Sequence, residues 1–310
     1  MTLSARFRSG RFVRRVTLQT GIAFSAVMLL IMTTATTELS VGFFASWYSM
    51  IASILLFMFL TVFLRCHFGH PEQLQVAVFG LPKSGKTVFL DTLMSKTKKY
   101  QVPGVRVHHR NDRACKAYDS LTKQHWPGRT IASRDEFPVE VSLGPQILPA
   151  RWNVKLTDYT LIPPNSGEEL SIETVTNAGG YELVKTSDAV LLFIDAVTVV
   201  DQHQNGKHDA CDIYTKAVEE IIAAHPGQFP VEVPLAVLFT KVDCTQTVVE
   251  NSELAAMLRD FITLCRRRFK EFRMFYVTSV GHVTEDGMPA LPIESKNVIE
   301  PFLWTIRKFE

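Results

Sequence analysis

One eight-residue segment constrains the fold of this chain more than any other: residues 80–87 read Gly-Leu-Pro-Lys-Ser-Gly-Lys-Thr. The segment fits the pattern G-x-x-x-x-G-K-[ST] at every fixed position. The apolar run before it, at 74–79, predicts a buried strand, and residues 88–95 predict the first turns of a helix. A loop of this composition between a strand and a helix is typical of a phosphate-binding loop.

The residue types of the loop suit the chemistry of a nucleotide. The glycines, Gly80 and Gly85, let the backbone wrap closely around a phosphate with successive N–H groups pointing inward. Lys86 is predicted to reach the β- and γ-phosphates as a catalytic cation, and the Thr87 hydroxyl to ligate Mg²⁺. The other predicted loop contacts are Lys83 and Ser84.

Two apolar segments lie upstream, at about 16–34 and 42–64. Neither contains Asp, Glu, Lys or Arg, and each has the ~20 residues that a helix needs to cross a bilayer. Because the connector between them is too short for a domain, the pair predicts a transmembrane hairpin. A cleavable signal peptide is the alternative for the first segment, but a second span would then place the phosphate-binding domain on the wrong side of the membrane.

The charges around the hairpin predict its orientation. Five arginines and no acidic residue lie in the basic tail at 1–15, the connector has no Lys or Arg, and Arg65 follows the second segment. Under the positive-inside rule both termini and the phosphate-binding domain stay in the cytoplasm. The predicted location is therefore the inner (plasma) membrane, with two spans.

Composition limits the partners. The chain has 33 basic and 31 acidic residues, and the five arginines of the tail account for the excess. No basic domain suggests a nucleic acid, whereas the tail suits an anionic lipid bilayer. The five cysteines are scattered without a C-x-x-C pair, so disulfides and a zinc site are not expected. Cys66, at the predicted membrane edge, could be acylated or unmodified.

Residues 72–310 predict a single α/β domain. Apolar runs that predict strands alternate with helical stretches, which indicates a doubly wound, mostly parallel sheet with right-handed crossovers. The run at 137–143 alternates and closely precedes another strand, so it could be an antiparallel edge. The strand candidates are 74–79, 137–143, 152–156, 189–194, 235–239 and 274–278, and the helix candidates after the first are 211–224, 252–271 and 295–308.

The ends of two late strands carry a second motif. Strand 235–239 runs into Thr240-Lys241-Val242-Asp243, and strand 274–278 runs into Thr278-Ser279-Val280-Gly281. With the phosphate-binding loop, these segments resemble the P-loop GTPases, whose base-reading motif is [N/T]-K-x-D and whose last motif is a short S-A-K-like turn. The resemblance implies that GTP and Mg²⁺ are the cofactors.

The chemistry of guanine agrees with that resemblance. The Asp243 carboxylate can accept hydrogen bonds from guanine N1–H and the exocyclic amine together, whereas adenine offers no such pair of donors. The stem of Lys241 can lie along the base, and a backbone N–H near Ser279 or Val280 would meet guanine O6. Thr240 completes the predicted base-binding set.

Asp158, at the end of strand 152–156 and its extension, occupies the position where the family's D-x-x-G motif would begin. The resemblance implies that Asp158 holds Mg²⁺ through water. The sequence continues Tyr159-Thr160-Leu161, so no glycine stands at the fourth position, and no Gln or His follows to orient a water molecule. In the family the N–H of that glycine contacts the γ-phosphate, so the departure predicts slow hydrolysis or dependence on a partner.

Two further residues have open roles. Thr130, in Trp-Pro-Gly-Arg-Thr, is the candidate for the metal-ligand threonine between the first helix and the second strand, or it lies in a surface turn. Asp195, at the end of strand 189–194, could be the acidic residue of an ATPase, or it is structural, as is usual in the GTPase layout. Residues 80–90 and 126–130 also resemble TRAFAC-class GTPase domains of bacterial conflict and phage-defence systems.

Three hypotheses follow. The first is a membrane-anchored GTPase switch that acts through a protein partner or a homo-oligomer at the membrane; the resemblance to conflict-system GTPases suggests a role in bacterial defence. The signal-recognition-particle receptor β subunit resembles this layout, with one membrane span. The second is a GTP-binding scaffold that does not hydrolyse its nucleotide, which the missing glycine after Asp158 favours. The third is an ATPase coupled to a membrane machine.

Overall fold

The structure is a computed structural model of the 310-residue chain. It describes residues 53, 54, 57, 58, 72–99, 105–109, 119–126, 134–143, 150–161, 177–207, 209–245, 249–281, 283, 284, 286 and 288–309. The chain divides into two compact units, residues 1–70 and residues 71–310.

In the first unit, only residues 53, 54, 57 and 58 are described, and all four are helical. The basic tail at 1–15, the first apolar segment at 16–34, Cys66 and the rest of the segment at 42–64 lie outside the described residues. No helix within the described part of the chain has both the length and the apolar character needed to span a bilayer. The transmembrane hairpin therefore stays a prediction from the sequence.

The second unit is built on a mixed sheet of seven strands in the described ranges. The order across the sheet is β2-β3-β4-β1-β5-β6-β7. β1 pairs in parallel with both β4 and β5, and β6 and β7 continue in the same direction. The strands are β1 (Glu72–Gly80), β2 (Val105–His109), β3 (Arg134–Leu143), β4 (Ala150–Thr160), β5 (Ala189–Asp195), β6 (Leu235–Thr240) and β7 (Phe272–Val277).

Helices cover both faces of this sheet. One face packs against α1 and α8, with Phe89, Leu93 and Phe302 among the buried side chains. The other face packs against α2, α3, α4, α6 and α7. The helices are α1 (Lys86–Lys99), α2 (Asn177–Thr186), α3 (Ala196–Gln204), α4 (Asp209–Ala223), α5 (Val242–Thr245), α6 (Asn251–Met257), α7 (Arg259–Arg268) and α8 (Ile299–Arg307).

Central strands are apolar on both faces because both faces are covered. All seven residues of β5 and all six of β6 are buried. This continuous apolar pattern is what a parallel sheet between two helical layers requires.

The direction of the chain changes at β1. The chain first runs from β1 outward to β2 and returns through β3 and β4; it then crosses past β1 to β5, β6 and β7. In open α/β sheets, ligands bind beyond the carboxyl ends of the strands where the strand order reverses. The loop at 80–87 follows β1 directly and therefore lies at this position.

The structure confirms the predicted α/β class and the six predicted strands, with small shifts at their ends. Segment 137–143 is antiparallel to β4 as expected, but it is not an edge, because β2 pairs with its other side. The helix expected at 252–271 is interrupted at Leu258 and forms α6 and α7. The sequence reading did not predict β2, α2, α3 or α5.

Candidate nucleotide-binding site

Two residues of the loop between β1 and α1 have a left-handed backbone conformation. Lys83 and Gly85 both have positive φ angles, 65° and 81°. The N–H of Ser84 donates to the Leu81 carbonyl at 3.2 Å, which closes a turn, and the Phe89 N–H donates to the Gly85 carbonyl at 2.9 Å as α1 begins. The positive φ explains the glycine at position 85, because residues with a Cβ adopt this backbone conformation only at a cost in free energy.

Gly80 is required for a different reason, which is close packing. A Cβ placed on Gly80 would lie 2.6 Å from the Ser84 Oγ and 2.8 Å from the carbonyl oxygen of Phe193. Both distances are too short for a carbon atom, and the second partner is backbone of β5 that cannot move easily. The first glycine of the motif therefore lets the loop pack against the neighbouring strand.

Lys86 is buried at the floor of the loop. Its side chain is only 5% exposed, and its Nζ donates to the carbonyl oxygens of Gly80 at 2.9 Å and Leu81 at 3.0 Å. Burial lowers the pKa of Lys86, and the nearby charge of Asp158 opposes that effect. The structure thus holds a desolvated cation against loop carbonyls, where it could be released to an incoming phosphate.

Asp158 is placed beside this cation by the sheet register. It pairs with Val78 of β1, and the two residues therefore point to the same face of the sheet, the face covered by α1. The Asp158 side chain is buried at 4% exposure and acts electrostatically on Lys86. The predicted metal-site carboxylate and the predicted phosphate-binding lysine are thus neighbours.

A buried hydrogen bond joins the predicted phosphate-binding loop to the predicted base-reading motif. The Thr240 hydroxyl lies 2.8 Å from the carbonyl oxygen of Ser84 and 3.2 Å from that of Ile194 and donates to them. Ser84 and Thr240 are both almost completely buried. The first residue of the Thr-Lys-Val-Asp motif therefore ties β6 to the loop after β1.

Lys241 is held by an ion pair across two strand ends. Its Nζ contacts the Asp195 carboxylate at 2.5 Å, and its backbone has a positive φ of 59°. Asp195 also caps α3, since its Oδ1 accepts a hydrogen bond from the Val197 N–H at 3.1 Å. Both carboxylate oxygens of Asp195 therefore contact other groups of the protein. Of the two roles that the sequence left open for Asp195, this geometry favours the structural one.

The remaining base-site candidates lie on the loops after β6 and β7. Asp243 is partly exposed in α5, and Val280 is buried in the loop after β7. Glu294 donates its N–H to the Val280 carbonyl at 3.0 Å, and the Thr92 hydroxyl of α1 donates to the Ser279 carbonyl at 3.3 Å. The Thr92 contact fixes the last predicted motif against α1, at the same edge of the sheet as the loop at 80–87, and the Glu294 contact fixes it against the segment before α8.

The described members of the predicted set therefore gather at one edge. Thr130 lies outside the described residues. The sequence reading missed Asp195 as the partner of Lys241, Thr92 as the support of Ser279, and Leu161, whose N–H donates to the Gly80 carbonyl at 3.0 Å. Only the strand-end position of Asp195 was visible in the sequence, because the other contacts depend on tertiary packing.

The described residues fit Mg²⁺ bound together with a phosphate rather than a metal held by protein alone. No group of three or more His, Cys, Asp or Glu side chains in the described ranges could hold a metal ion. Mg²⁺ is usually bound through one or two carboxylates together with substrate phosphates and waters. Asp158 and Thr87 are side chains of the kind that such a site needs. The buried Ser84 hydroxyl, in the same loop as Thr87, has no hydrogen-bond partner among the described residues.

Known proteins resemble the chain only distantly. No protein-family model and no curated protein matches the sequence. Among solved structures, the small GTPase Arl6 BBS3 of Trypanosoma brucei with bound GppNp is 16% identical, with 76% of this chain and 96% of that chain covered and a TM-score of 0.38.

Two other solved structures show a similarity of the same size. A Sar1 GTPase of Encephalitozoon cuniculi in complex with GDP is 14% identical over 84% of this chain and 91% of that chain, with a TM-score of 0.36. A GTP-binding protein of Sulfolobus solfataricus in complex with GDP is 13% identical over 92% and 68%, with a TM-score of 0.35. A similarity of this size does not assign a ligand or an activity to the chain.

Proposed function

We propose that this protein is a membrane-anchored guanine-nucleotide-binding protein that hydrolyses GTP slowly and acts through a partner at the membrane. The observation that supports this proposal most directly is the buried Thr240–Ser84 hydrogen bond. It links the loop that we propose to bind phosphate to the Thr-Lys-Val-Asp segment that we propose to bind the base, although the two are far apart in sequence.

Each end of that site has a defined role in the proposal. Lys86 binds the β- and γ-phosphates after it leaves the carbonyls of Gly80 and Leu81, and the amides of the loop donate to the phosphate oxygens. Asp243 accepts from the guanine edge while Lys241, held by Asp195, lies along the base. Bound Mg²⁺, held by Thr87 and through water by Asp158, would neutralise charge on the phosphates. Thr130 remains the proposed further metal ligand.

Slow turnover follows from the segment after Asp158. Leu161 stands at the fourth position of the motif, its side chain is fully buried, and its N–H already donates to the Gly80 carbonyl. In the resembled family the N–H at this position contacts the γ-phosphate. An N–H that is engaged inside the protein cannot do so without rearrangement, so hydrolysis is expected to be slow in the isolated protein.

The same observation favours a second candidate, a GTP-binding scaffold in which the nucleotide is structural. Single-turnover hydrolysis with Mg²⁺ separates the two, because the switch converts bound GTP to GDP and the scaffold does not. The ATPase hypothesis would give Asp195 a role at the phosphates. The carboxylate of Asp195 is instead engaged by Lys241 and by the cap of α3.

The binding test uses the full chain in detergent or lipid, titrated with GTP, GDP and ATP in the presence of Mg²⁺. Guanine nucleotides are expected to bind and ATP to bind far more weakly. Lys86→Ala is expected to abolish binding, whereas Lys96→Ala, which removes an equal charge from the same helix, is expected to retain it. ATP binding as tight as GTP binding would overturn the base-reading assignment.

Base recognition has its own test in Asp243→Asn. The amide replaces one carboxylate oxygen, a hydrogen-bond acceptor, with an NH₂ group, which is a donor. The site therefore loses an acceptor for the exocyclic amine of guanine and gains a donor for the carbonyl that xanthine carries at the same ring position. The variant is expected to lose affinity for GTP and to gain affinity for xanthosine triphosphate. An unchanged preference for GTP would remove Asp243 from the base site.

Membrane attachment is a separate part of the proposal and is supported by the sequence alone. The segments at 16–34 and 42–64 predict insertion, the charges predict cytoplasmic termini, and a bacterial defence role remains a resemblance-based hypothesis. Extraction of membranes with alkaline carbonate should leave the full chain in the lipid fraction. Release of the protein into the supernatant would overturn the anchor and leave the nucleotide site untouched.

A further inference from the structure

The edge of the sheet opposite the nucleotide site presents a surface that the proposed function does not use. β1 and β4–β7 all begin at this edge, here called the amino edge. The segments that lead into β6 and β7 are joined there, because the Val231 N–H donates to the Arg268 carbonyl at 2.7 Å and the Lys270 N–H donates to the Val231 carbonyl at 2.9 Å. The two segments therefore form one continuous surface.

This surface combines an exposed aromatic ring with basic side chains. Phe229 is 73% exposed, and the guanidinium carbon of Arg268 lies 5.4 Å from the centre of its ring. Arg266, Arg267 and Lys270 are exposed, and none of them makes an ion pair with another described residue. We call these five residues, Phe229, Arg266, Arg267, Arg268 and Lys270, the Phe229 surface.

The position of the arginines at the end of α7 explains only part of this arrangement. Cations in the last turn of a helix are favoured by the helix dipole. That effect does not account for Lys270, which lies beyond the helix, nor for a large apolar ring left in solvent beside a guanidinium. An exposed aromatic side chain within a cationic cluster is typical of a surface that contacts lipid headgroups and the outer acyl region.

The short segment between the predicted membrane span and β1 indicates what this surface contacts. β1 begins at the amino edge with Glu72, and only seven residues, 65–71, separate it from the predicted membrane segment that ends at Leu64. An extended link of that length spans at most about 25 Å. We propose that the Phe229 surface contacts anionic lipid headgroups of the bilayer, with Phe229 at the interface; this inference rests on the membrane attachment proposed above.

The contact would orient the nucleotide site. With the amino edge against lipid, the loops after β1, β6 and β7 point to the cytoplasm and stay accessible to nucleotide and to a partner. Each basic residue near an anionic surface contributes about a fivefold gain in binding, so the contact depends on lipid charge and on salt.

The experiment measures hydrogen exchange of residues 225–234 in the full chain, reconstituted in vesicles of phosphatidylcholine alone or with phosphatidylserine. The segment is expected to exchange at least about fivefold more slowly in the anionic vesicles. Arg266→Gln with Arg267→Gln, or Phe229→Ser, is expected to remove the difference. The matched controls are Arg259→Gln with Lys216→Gln, and Leu291→Ser, which remove equal charges and an exposed apolar side chain elsewhere, and they should retain it.

The outcomes separate this inference from the proposed function, because carbonate extraction and GTP titration are carried out on the same samples. Equal exchange in both vesicles, from protein that is inserted and binds GTP, overturns the lipid contact and leaves the proposed function standing. Equal protection by soluble polyphosphate assigns the surface to a soluble anion and also overturns it. Protein that does not insert overturns the attachment and, with it, this contact.

Discussion

The hydroxyl of Thr240 and the carbonyl of Ser84, 156 positions apart in sequence, meet in a buried hydrogen bond of 2.8 Å. Through this contact the end of β6 fixes the loop after β1. The nucleotide site proposed above would bind both a phosphate chain and a base, and such a site needs its two halves held at a constant separation. This bond supplies such a constraint within the folded chain.

Replacing Thr240 with valine tests that relationship. Thr240→Val keeps the shape of the side chain and leaves the buried Ser84 carbonyl without its donor, which is expected to cost about 1–3 kcal/mol of stability. Nucleotide affinity is expected to fall as well, measured by calorimetric titration. Thr240→Ser should retain both.

Thr305→Val is the matched control, since the Thr305 hydroxyl makes an equally short buried bond to the Pro301 carbonyl within α8. It should lower the melting temperature without changing nucleotide affinity. If both valine variants affect nucleotide binding equally, Thr240 has only a general structural role.

The ion pair of Lys241 with Asp195 leads to a second prediction. Asp195→Asn preserves a good helix cap for α3 but removes the charge that holds Lys241. Because the pair is partly exposed, the expected loss in guanine-nucleotide affinity is about 1 kcal/mol, or roughly fivefold. Titration with GDP measures it.

Glu300→Gln serves as the control, because it breaks the ion pair with Arg273 on α8 and β7, a pair of half-exposed side chains. GDP affinity should be unchanged in that variant. Full GDP affinity in Asp195→Asn would show that Lys241 needs no anchor.

Gly80 gives a prediction about packing. In Gly80→Ala the new Cβ would lie 2.8 Å from the Phe193 carbonyl oxygen, so the loop must move away from β5. Overpacking of this kind costs about 1–3 kcal/mol, and the displaced loop should bind phosphate poorly. Chemical denaturation and GDP titration measure the two effects.

Gly206→Ala is the comparison for Gly80→Ala. Gly206 has a positive φ of 65°, and a Cβ added there would meet no atom of the described residues within 4 Å, so alanine introduces backbone strain alone. A stability loss without loss of nucleotide binding is expected. An equal loss of binding in both variants would contradict the close-packing explanation.

The lowered pKa of Lys86 predicts how stability depends on pH. In the interval between this lowered pKa and the ordinary value for lysine, the unfolded chain holds a proton that the folded, nucleotide-free protein releases. Stability therefore rises with pH in this interval, since the unfolded state binds more protons. Lys86→Met has no ionisable group at this position and lacks this contribution. The free energy of unfolding of the wild type should therefore rise relative to that of Lys86→Met as the pH rises through the interval.

Thermal unfolding of the nucleotide-free proteins across the alkaline range measures the difference. Asp158→Asn removes the charge that opposes the lowering of the Lys86 pKa, and should extend the lower end of the interval to lower pH. Parallel stability curves for wild type and Lys86→Met would show that burial of the ammonium has no energetic consequence.

The sequence by itself determined the local parts of this protein. The loop at 80–87, the strand before it and the helix after it follow from short-range patterns, because glycine geometry and hydrophobic periodicity act over a few residues. The buried strands β5 and β6 were equally readable, since every residue in them is apolar or at a strand end. Strand β2 and helices α2, α3 and α5 were missed.

Tertiary structure decided how those parts meet. Only the parallel pairing of β1 with β4 puts Asp158 beside Lys86, and only the alignment of β5 with β6 brings Asp195 to Lys241. The N–H of Leu161, which the sequence marked only as a missing glycine, is engaged by Gly80 for the same reason. Contacts between residues far apart in sequence depend on strand order and register, which no local pattern encodes, because they arise from the packing of the whole sheet between its two helical layers.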